Sequence, residues 1–183
     1  YDVILYDIAE TSLEKARKLI HVNVETQVNE GSLSEETARE MLDRITMTTS
    51  KEYFPTIDFA LEATVENMEI KHAFFKELSE AAKPDAILCT NTSGMSITEI
   101  AKAVKDPSRF CGMHWVNPPH LIPLVEVIAG EHSSQEVLQI VCDVADSLHQ
   151  KPVRVYKDPT GFILNRLQYA CLREACHCVE MGY

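Results

Sequence analysis

Cys111-Gly112-Met113-His114-Trp115-Val116-Asn117-Pro118-Pro119, running on to Leu124-Val125-Glu126, sets a histidine and a glutamate twelve residues apart inside two short apolar runs that read as strands. Just upstream, Ala86-Ile87-Leu88-Cys89-Thr90 is a buried-type strand that delivers Asn91-Thr92-Ser93-Gly94 at its end. A base, an acid able to orient it and a hydroxyl at successive strand ends point to acid–base chemistry in an α/β protein. On spacing alone, a histidine in an apolar run is more often a hydrogen-bonded core residue, so the rest of the chain must decide.

Working outward, strands and helices alternate. Asp2-Val3-Ile4-Leu5-Tyr6-Asp7 is an apolar run ending in an acid; Thr11 and Glu14 have capping-box spacing for a helix to about Asn29, with Gly31 as its stop. Ser34 opens a second helix with Ala38, Met41, Leu42 and Ile45 on one face. Short strands are expected over 46–49 and 57–63. A helix over 67–82, with Ile70, Ala73, Phe74, Leu78 and Ala81 in helical spacing, stops at Pro84. Ser96 and Glu99 cap a short helix. Ser133 or Ser134 starts another, whose expected buried face is Val137, Ile140, Val141, Val144 and Leu148. A last strand runs over 153–156. Asp158-Pro159-Thr160-Gly161 is turn chemistry ahead of a final helix from about Phe162. This alternation predicts a Rossmann-type, doubly wound, mostly parallel sheet, which binds ligands at the carboxyl ends of its strands. Asp7, Glu62 to Glu66, Asn91 to Ser93, and His114 all fall at such ends.

Asp7 also fits the acid that holds the adenosine ribose at the end of the second strand in a dinucleotide-binding fold, about twenty residues after a glycine-rich loop. On that reading the loop and the first strand lie upstream of Tyr1. The first strand is central in the order 3-2-1-4-5-6, so without it two strand edges are left unpaired. The expected organisation is an NAD-binding domain over 1–158, lacking its N-terminal strand and loop, and the first helix of an all-α C-terminal domain over 159–183.

Composition narrows the partners. At 183 residues and net charge −11, the chain is disfavoured as a ligand of nucleic acid or of an anionic membrane. Its apolar runs fall far short of a membrane span. Of six cysteines, Cys89, Cys111 and Cys142 sit in apolar context, and Cys176 and Cys178 project in different directions on a helix, which speaks against a shared metal. Reduced, structural thiols imply a cytoplasmic or mitochondrial-matrix compartment.

Asn91-Thr92-Ser93, Gly112-Met113-His114, Asn117-Pro118, Leu124-Val125-Glu126-Val127 and Gly161-Phe162-Ile163-Leu164-Asn165-Arg166 resemble, in order and spacing, the L-3-hydroxyacyl-CoA dehydrogenases. So does Glu62-Ala63-Thr64-Val65-Glu66-Asn67 with Lys71 after it, and the resemblance covers essentially the whole chain. It implies NAD-dependent oxidation of a 3-hydroxyacyl-CoA, with His114 as general acid/base and Glu126 as its orienting acid. Ser93 and Asn165 are implied at the reacting oxygen or thioester. Asp7, Glu66, Lys71, Ser93 and Asn117 are implied on the NAD side, and no metal is. A small-molecule substrate and a homodimer follow from the same resemblance. One departure bears on the substrate. Where the CoA-using family offers a lysine to the CoA phosphates, this chain has Glu30, with Glu25 nearby and Lys15, Arg17 and Lys18 as compensating charges. Asn117-Pro118-Pro119, Pro123 and Asn165-Arg166-Leu167-Gln168-Tyr169 also resemble the branch holding L-gulonate 3-dehydrogenase (lambda-crystallin) and carnitine dehydrogenase. That branch implies either a small 3-hydroxy acid as substrate or a structural, non-catalytic role.

Overall fold

The computed structural model describes residues 1–183, which form two compact units, Tyr1–Phe54 and Pro55–Tyr183. In the first, β1 (Val3–Tyr6) pairs in parallel with β2 (Ile45–Thr48), and the chain between them forms α1 (Glu10–Asn29) and α2 (Glu35–Asp43). Helix α1 starts one residue before the expected Thr11 cap. The reason is Asp7, whose Oδ1 accepts the Ala9 amide at 2.8 Å and turns the chain into the helix early. Gly31, at φ 72°, closes α1 as expected, with the Ser32 amide reaching back to the Gln27 carbonyl. Ser34 caps α2 by accepting the Thr37 amide at 3.1 Å. Helix α2 is shorter than its apolar spacing suggests, so Ile45 belongs to β2 and Met41 is 44% exposed.

The second unit holds a five-stranded sheet in the order β3 (Phe59–Glu62), β4 (Ile87–Thr90), β5 (Phe110–Trp115), β6 (Leu124–Ile128), β7 (Lys151–Val155). All its ladders are parallel except β5–β6. That antiparallel ladder was not legible from the alternation, and the site depends on it. Strands β1 and β3 each carry a single ladder. The compact division falls between Phe54 and Pro55, because the β1–β2 pair makes no ladder with β3. The expected boundary at 158–159 falls in the segment that follows β7.

Four helices complete this unit: α3 (Met68–Ala81), α4 (Ile97–Ala101), α5 (Gln135–Ser147) and α6 (Leu164–Glu180). Strand residues alternate between faces. Cys89, Cys111, Met113, Val125 and Val127 meet Val137, Leu138, Val141, Cys142 and Ala145 of α5 in one buried core. On the other face Phe110 packs edge-on against Phe75 of α3 at 4.9 Å. His114 alternates onto that second face, with Phe110 and Gly112. The face of α3 differs from expectation: Lys71, Phe75 and Leu78 are buried, while Ala73 is exposed and Ile70 is 46% exposed. An ion pair, described below, draws Lys71 inward and rotates the helix. Leu148 likewise lies outside α5, exposed at its C-cap.

Candidate active site

In the antiparallel β5–β6 ladder His114 lies directly opposite Glu126, as Met113 lies opposite Val127. Directly opposed side chains on one face of such a ladder are neighbours, and His114 Nδ1 is 2.8 Å from Glu126 Oε2. Both residues are buried. Burial pushes the Glu126 carboxyl up, but the hydrogen bond from His114 and those from the Leu164 and Ile163 amides outweigh it and hold its pKa below the usual glutamate value. An ionised carboxylate only accepts, so Nδ1 carries a proton, and in the neutral imidazole the lone pair is the one on Nε2. Nδ1 makes the ring's one hydrogen bond within the protein. The arrangement is a base with its tautomer set by a buried acid.

The second oxygen of Glu126 has another task. Oε1 accepts the amides of Ile163 at 2.9 Å and Leu164 at 3.0 Å, two donors at the start of α6 that have no partner inside the helix. Their presentation rests on two consecutive left-handed residues, Gly161 at φ 76° and Phe162 at φ 46°. Glycine adopts this conformation freely; for phenylalanine it carries strain of about 1–3 kcal/mol. The Phe162 ring is buried against the imidazole, with ring centres 5.7 Å apart. Just before it, Asp158 Oδ2 accepts the Ser96 hydroxyl at 2.7 Å and the Thr98 amide at 2.8 Å, tying the turn to the start of α4. Asp158, Pro159 and Thr160 stand out in the sequence only as turn chemistry, and Gly161 and Phe162 only as part of the block that carries the family resemblance.

The turn after β4 supplies the third part. The Ser93 amide donates to Glu66 Oε1 at 2.7 Å, and the Ser93 carbonyl accepts Asn165 Nδ2 at 2.8 Å. A Cβ on Gly94 would meet the Gly161 nitrogen at 3.4 Å, so the turn and the start of α6 are in backbone contact. Ser93, His114, Glu126, Asn165 and Glu66 are therefore joined, directly or through α6, in one unit. Asn91 contributes from the same turn: its Oδ1 accepts the Trp115 amide at 2.9 Å and holds the end of β5.

Comparison with known proteins decides the family. Residues 1–159 match the family model described as "3-hydroxyacyl-CoA dehydrogenase, NAD binding domain". The chain belongs to that family. It is 37% identical over 180 residues to a 3-hydroxyadipyl-CoA dehydrogenase of Escherichia coli K12, covering 98% of this chain and 38% of the relative. It is 38% identical over 175 residues to a 3-hydroxybutyryl-CoA dehydrogenase of Clostridioides difficile, covering 96% of this chain and 62% of the relative. The crystal structure of a 3-hydroxybutyryl-CoA dehydrogenase from Escherichia coli K12 superposes with a TM-score of 0.95 at 36% identity, over 99% of this chain and 38% of that one. The chain thus spans less than two thirds of the length of each of these relatives.

As a 3-hydroxyacyl-CoA dehydrogenase NAD-binding domain, the chain has NAD as its cofactor, and its residues fit that group in part. Asp7 ends β1 with one carboxylate oxygen committed to the Ala9 amide, and Oδ2 is left for a ribose hydroxyl. Glu66 is half-exposed beside Ser93. Asn117 is exposed just past β5, joined to Pro118 by a cis peptide. Lys71, implied on the cofactor side by the resemblance, is turned inward. It is 1% exposed, and its ammonium donates to the buried Glu62 Oε1 at 2.7 Å, with Glu66 at 3.7 Å. The reason is electrostatic: Glu62 ends β3 inside the unit and needs a countercharge, and Lys71 on the facing turn of α3 supplies it. Burial raises the Glu62 pKa, but the bonds from Lys71, Thr64 and Thr90 more than reverse this and leave it lowered. Sequence reading missed Glu62 as the buried partner; an acid closing an otherwise apolar strand was the available signal. On α1, Lys15, Arg17 and Lys18 are exposed, as are Glu25 and Glu30.

Proposed function

We propose that the protein oxidises an L-3-hydroxyacyl-CoA to the 3-oxoacyl-CoA with NAD. The observation that carries this reading is the His114–Glu126 pair, a buried base whose free nitrogen is fixed by an ionised acid. His114 Nε2 takes the proton from the substrate's C3 hydroxyl as the C3–H bond breaks. NAD, when bound, supplies the acceptor for the hydride that leaves C3. As the imidazolium forms, Glu126 stabilises it across the 2.8 Å bond. In the reverse direction the imidazolium returns the proton to the 3-oxo oxygen. Ser93 and Asn165 hold the reacting oxygen or the thioester in the geometry this transfer needs. Asp7 holds the adenosine ribose and, by repelling a 2′-phosphate, favours NAD over NADP.

The thioester is favoured over a small hydroxy acid because the two curated relatives above are named for hydroxyacyl-CoA substrates. The same proposal makes the protein a homodimer of a reducing compartment, cytoplasm or mitochondrial matrix, with neither nucleic acid nor membrane as partner. All six cysteines are free, in keeping with a reducing compartment; no helix is long and apolar enough to cross a membrane. The test is NADH formation by the full-length protein with 3-hydroxybutyryl-CoA, beside L-gulonate and carnitine. Turnover of the thioester is expected. Turnover of gulonate or carnitine with none of the thioester would reassign the substrate, and no turnover of any of them would remove the reading.

A further inference from the structure

Thr92 is 1% exposed, and its hydroxyl uses every hydrogen-bonding position it has. It donates to the Glu66 carboxylate, whose oxygens lie 3.0 and 2.9 Å away, and it accepts the Met95 amide at 3.1 Å and the Gly94 amide at 3.4 Å. A hydroxyl has one donor and two lone pairs, so this set is complete. The carboxylate that Thr92 holds is the one that accepts the Ser93 amide, and Ser93 in turn accepts Asn165. Beneath it, the Thr92 amide donates to Thr90 Oγ1 at 3.3 Å, and Thr90 Oγ1 donates to Glu62 Oε2 at 2.6 Å. The half-exposed Glu66 is thereby connected to the buried Glu62–Lys71 pair through two threonines.

We propose, resting on the dehydrogenase reading above, that Thr92 is a positioning residue. Its hydroxyl clamps Glu66 to the turn and so fixes Ser93, and through it Asn165, in place for the substrate. Valine at this position keeps the branched shape but leaves the Met95 and Gly94 amides without their acceptor and frees Glu66 to rotate. Serine keeps the hydroxyl.

The experiment compares Thr92→Val and Thr92→Ser with wild type in the full-length protein, by two readouts. Amide hydrogen exchange over residues 93–95 needs no turnover. It should quicken by about tenfold or more in Thr92→Val and stay near wild type in Thr92→Ser. In steady-state kinetics, kcat should fall by roughly 10²-fold in Thr92→Val, the scale for a misplaced substrate-positioning group, with serine restoring it to within a few fold. A purely structural threonine would lower the melting temperature and leave kcat per folded molecule unchanged, and that result overturns the proposal. So does unaltered exchange at 93–95 in Thr92→Val, or a serine variant no better than valine. Should the wild type turn over no hydroxyacyl-CoA, the functional reading fails while the exchange data still judge the clamp.

Discussion

Replacing Glu126 by glutamine tests the dyad most sharply, because the carboxylate serves two sets of donors with its two oxygens. Oε2 takes Nδ1 of His114, and Oε1 takes the amides of Ile163 and Leu164. Glutamine offers one oxygen and one NH2, so one of these sets must lose. If the amide oxygen stays on the α6 amides, the NH2 faces Nδ1. The imidazole must then accept there and carry its proton on Nε2, where it can no longer act as a base. The opposite flip preserves the tautomer but leaves two part-buried amides facing a donor, at about 1–3 kcal/mol each. The competent flip is therefore disfavoured by about 2–6 kcal/mol, and at 1.4 kcal/mol per decade its population falls between roughly 30-fold and 10⁴-fold. Turnover of Glu126→Gln should drop by about 10²–10⁴-fold at neutral pH, and raising the pH should not recover it, since a misplaced proton is not a titration. The assay is kcat by NADH absorbance on protein whose folding is checked by circular dichroism. A variant within about threefold of wild type would refute the tautomer argument. Stability gives an independent readout with a definite sign. The folded pKa of Glu126 lies below its unfolded value, near 4.5. Its contribution is therefore complete above that value and is lost as pH falls through the folded pKa. Glutamine does not titrate, so the gap in unfolding free energy between wild type and variant should close as the solution is acidified.

His114→Gln is expected to lower kcat by about 10²–10⁴-fold, the range for a single acid–base group, with NADH affinity by fluorescence unchanged; an active variant would remove the mechanism. Asp7→Ser should narrow the preference for NAD over NADP, read as a ratio of kcat/KM values, and a wild type that already prefers NADP would count against the ribose assignment. Lys71→Met should destabilise the fold by about 3–5 kcal/mol by stranding the buried Glu62, and Glu62→Gln in the same chain should recover much of that. The KM for NAD of the double variant should stay close to wild type. A large rise in that KM with stability restored would return Lys71 to the cofactor.

Spacing placed a histidine and a glutamate in two short apolar runs, but it was the family resemblance that paired them as base and acid, since a histidine in such a run is more often a core residue. The sequence could not say whether β5 and β6 run parallel or antiparallel, and the antiparallel ladder is what sets His114 opposite Glu126. Ser93 and Asn165 were legible as members of a pattern, but their mutual bond joins positions 72 apart, through a turn and a helix start that no local rule connects. The burial of Lys71 was not legible for a related reason. Helical spacing favours the apolar Ile70 and Ala73 for the inner face, and nothing local shows that Glu62, on another element, needs a buried countercharge. Phe75, which the expected face leaves out, is buried with Lys71 beside Leu78, which that face includes.

The same separation explains why the base and its acid sit where they do. A carboxylate buried under a sheet must satisfy both oxygens or be protonated. Strand β5 supplies one partner for Glu126, the imidazole across the ladder, and the chain completes the set only after passing through α5 and β7 to present the Ile163 and Leu164 amides. Against the effect of burial, the Glu126 carboxyl is held below its usual pKa by the imidazole first and then by the docked start of α6, whose amides the left-handed pair Gly161–Phe162 aims. The hydroxyl-bearing turn at Ser93 is bound to the same helix through Asn165. The hydrogen bonds that complete the Glu126 carboxylate and the placement of the Ser93 turn are therefore both tied to the seating of α6.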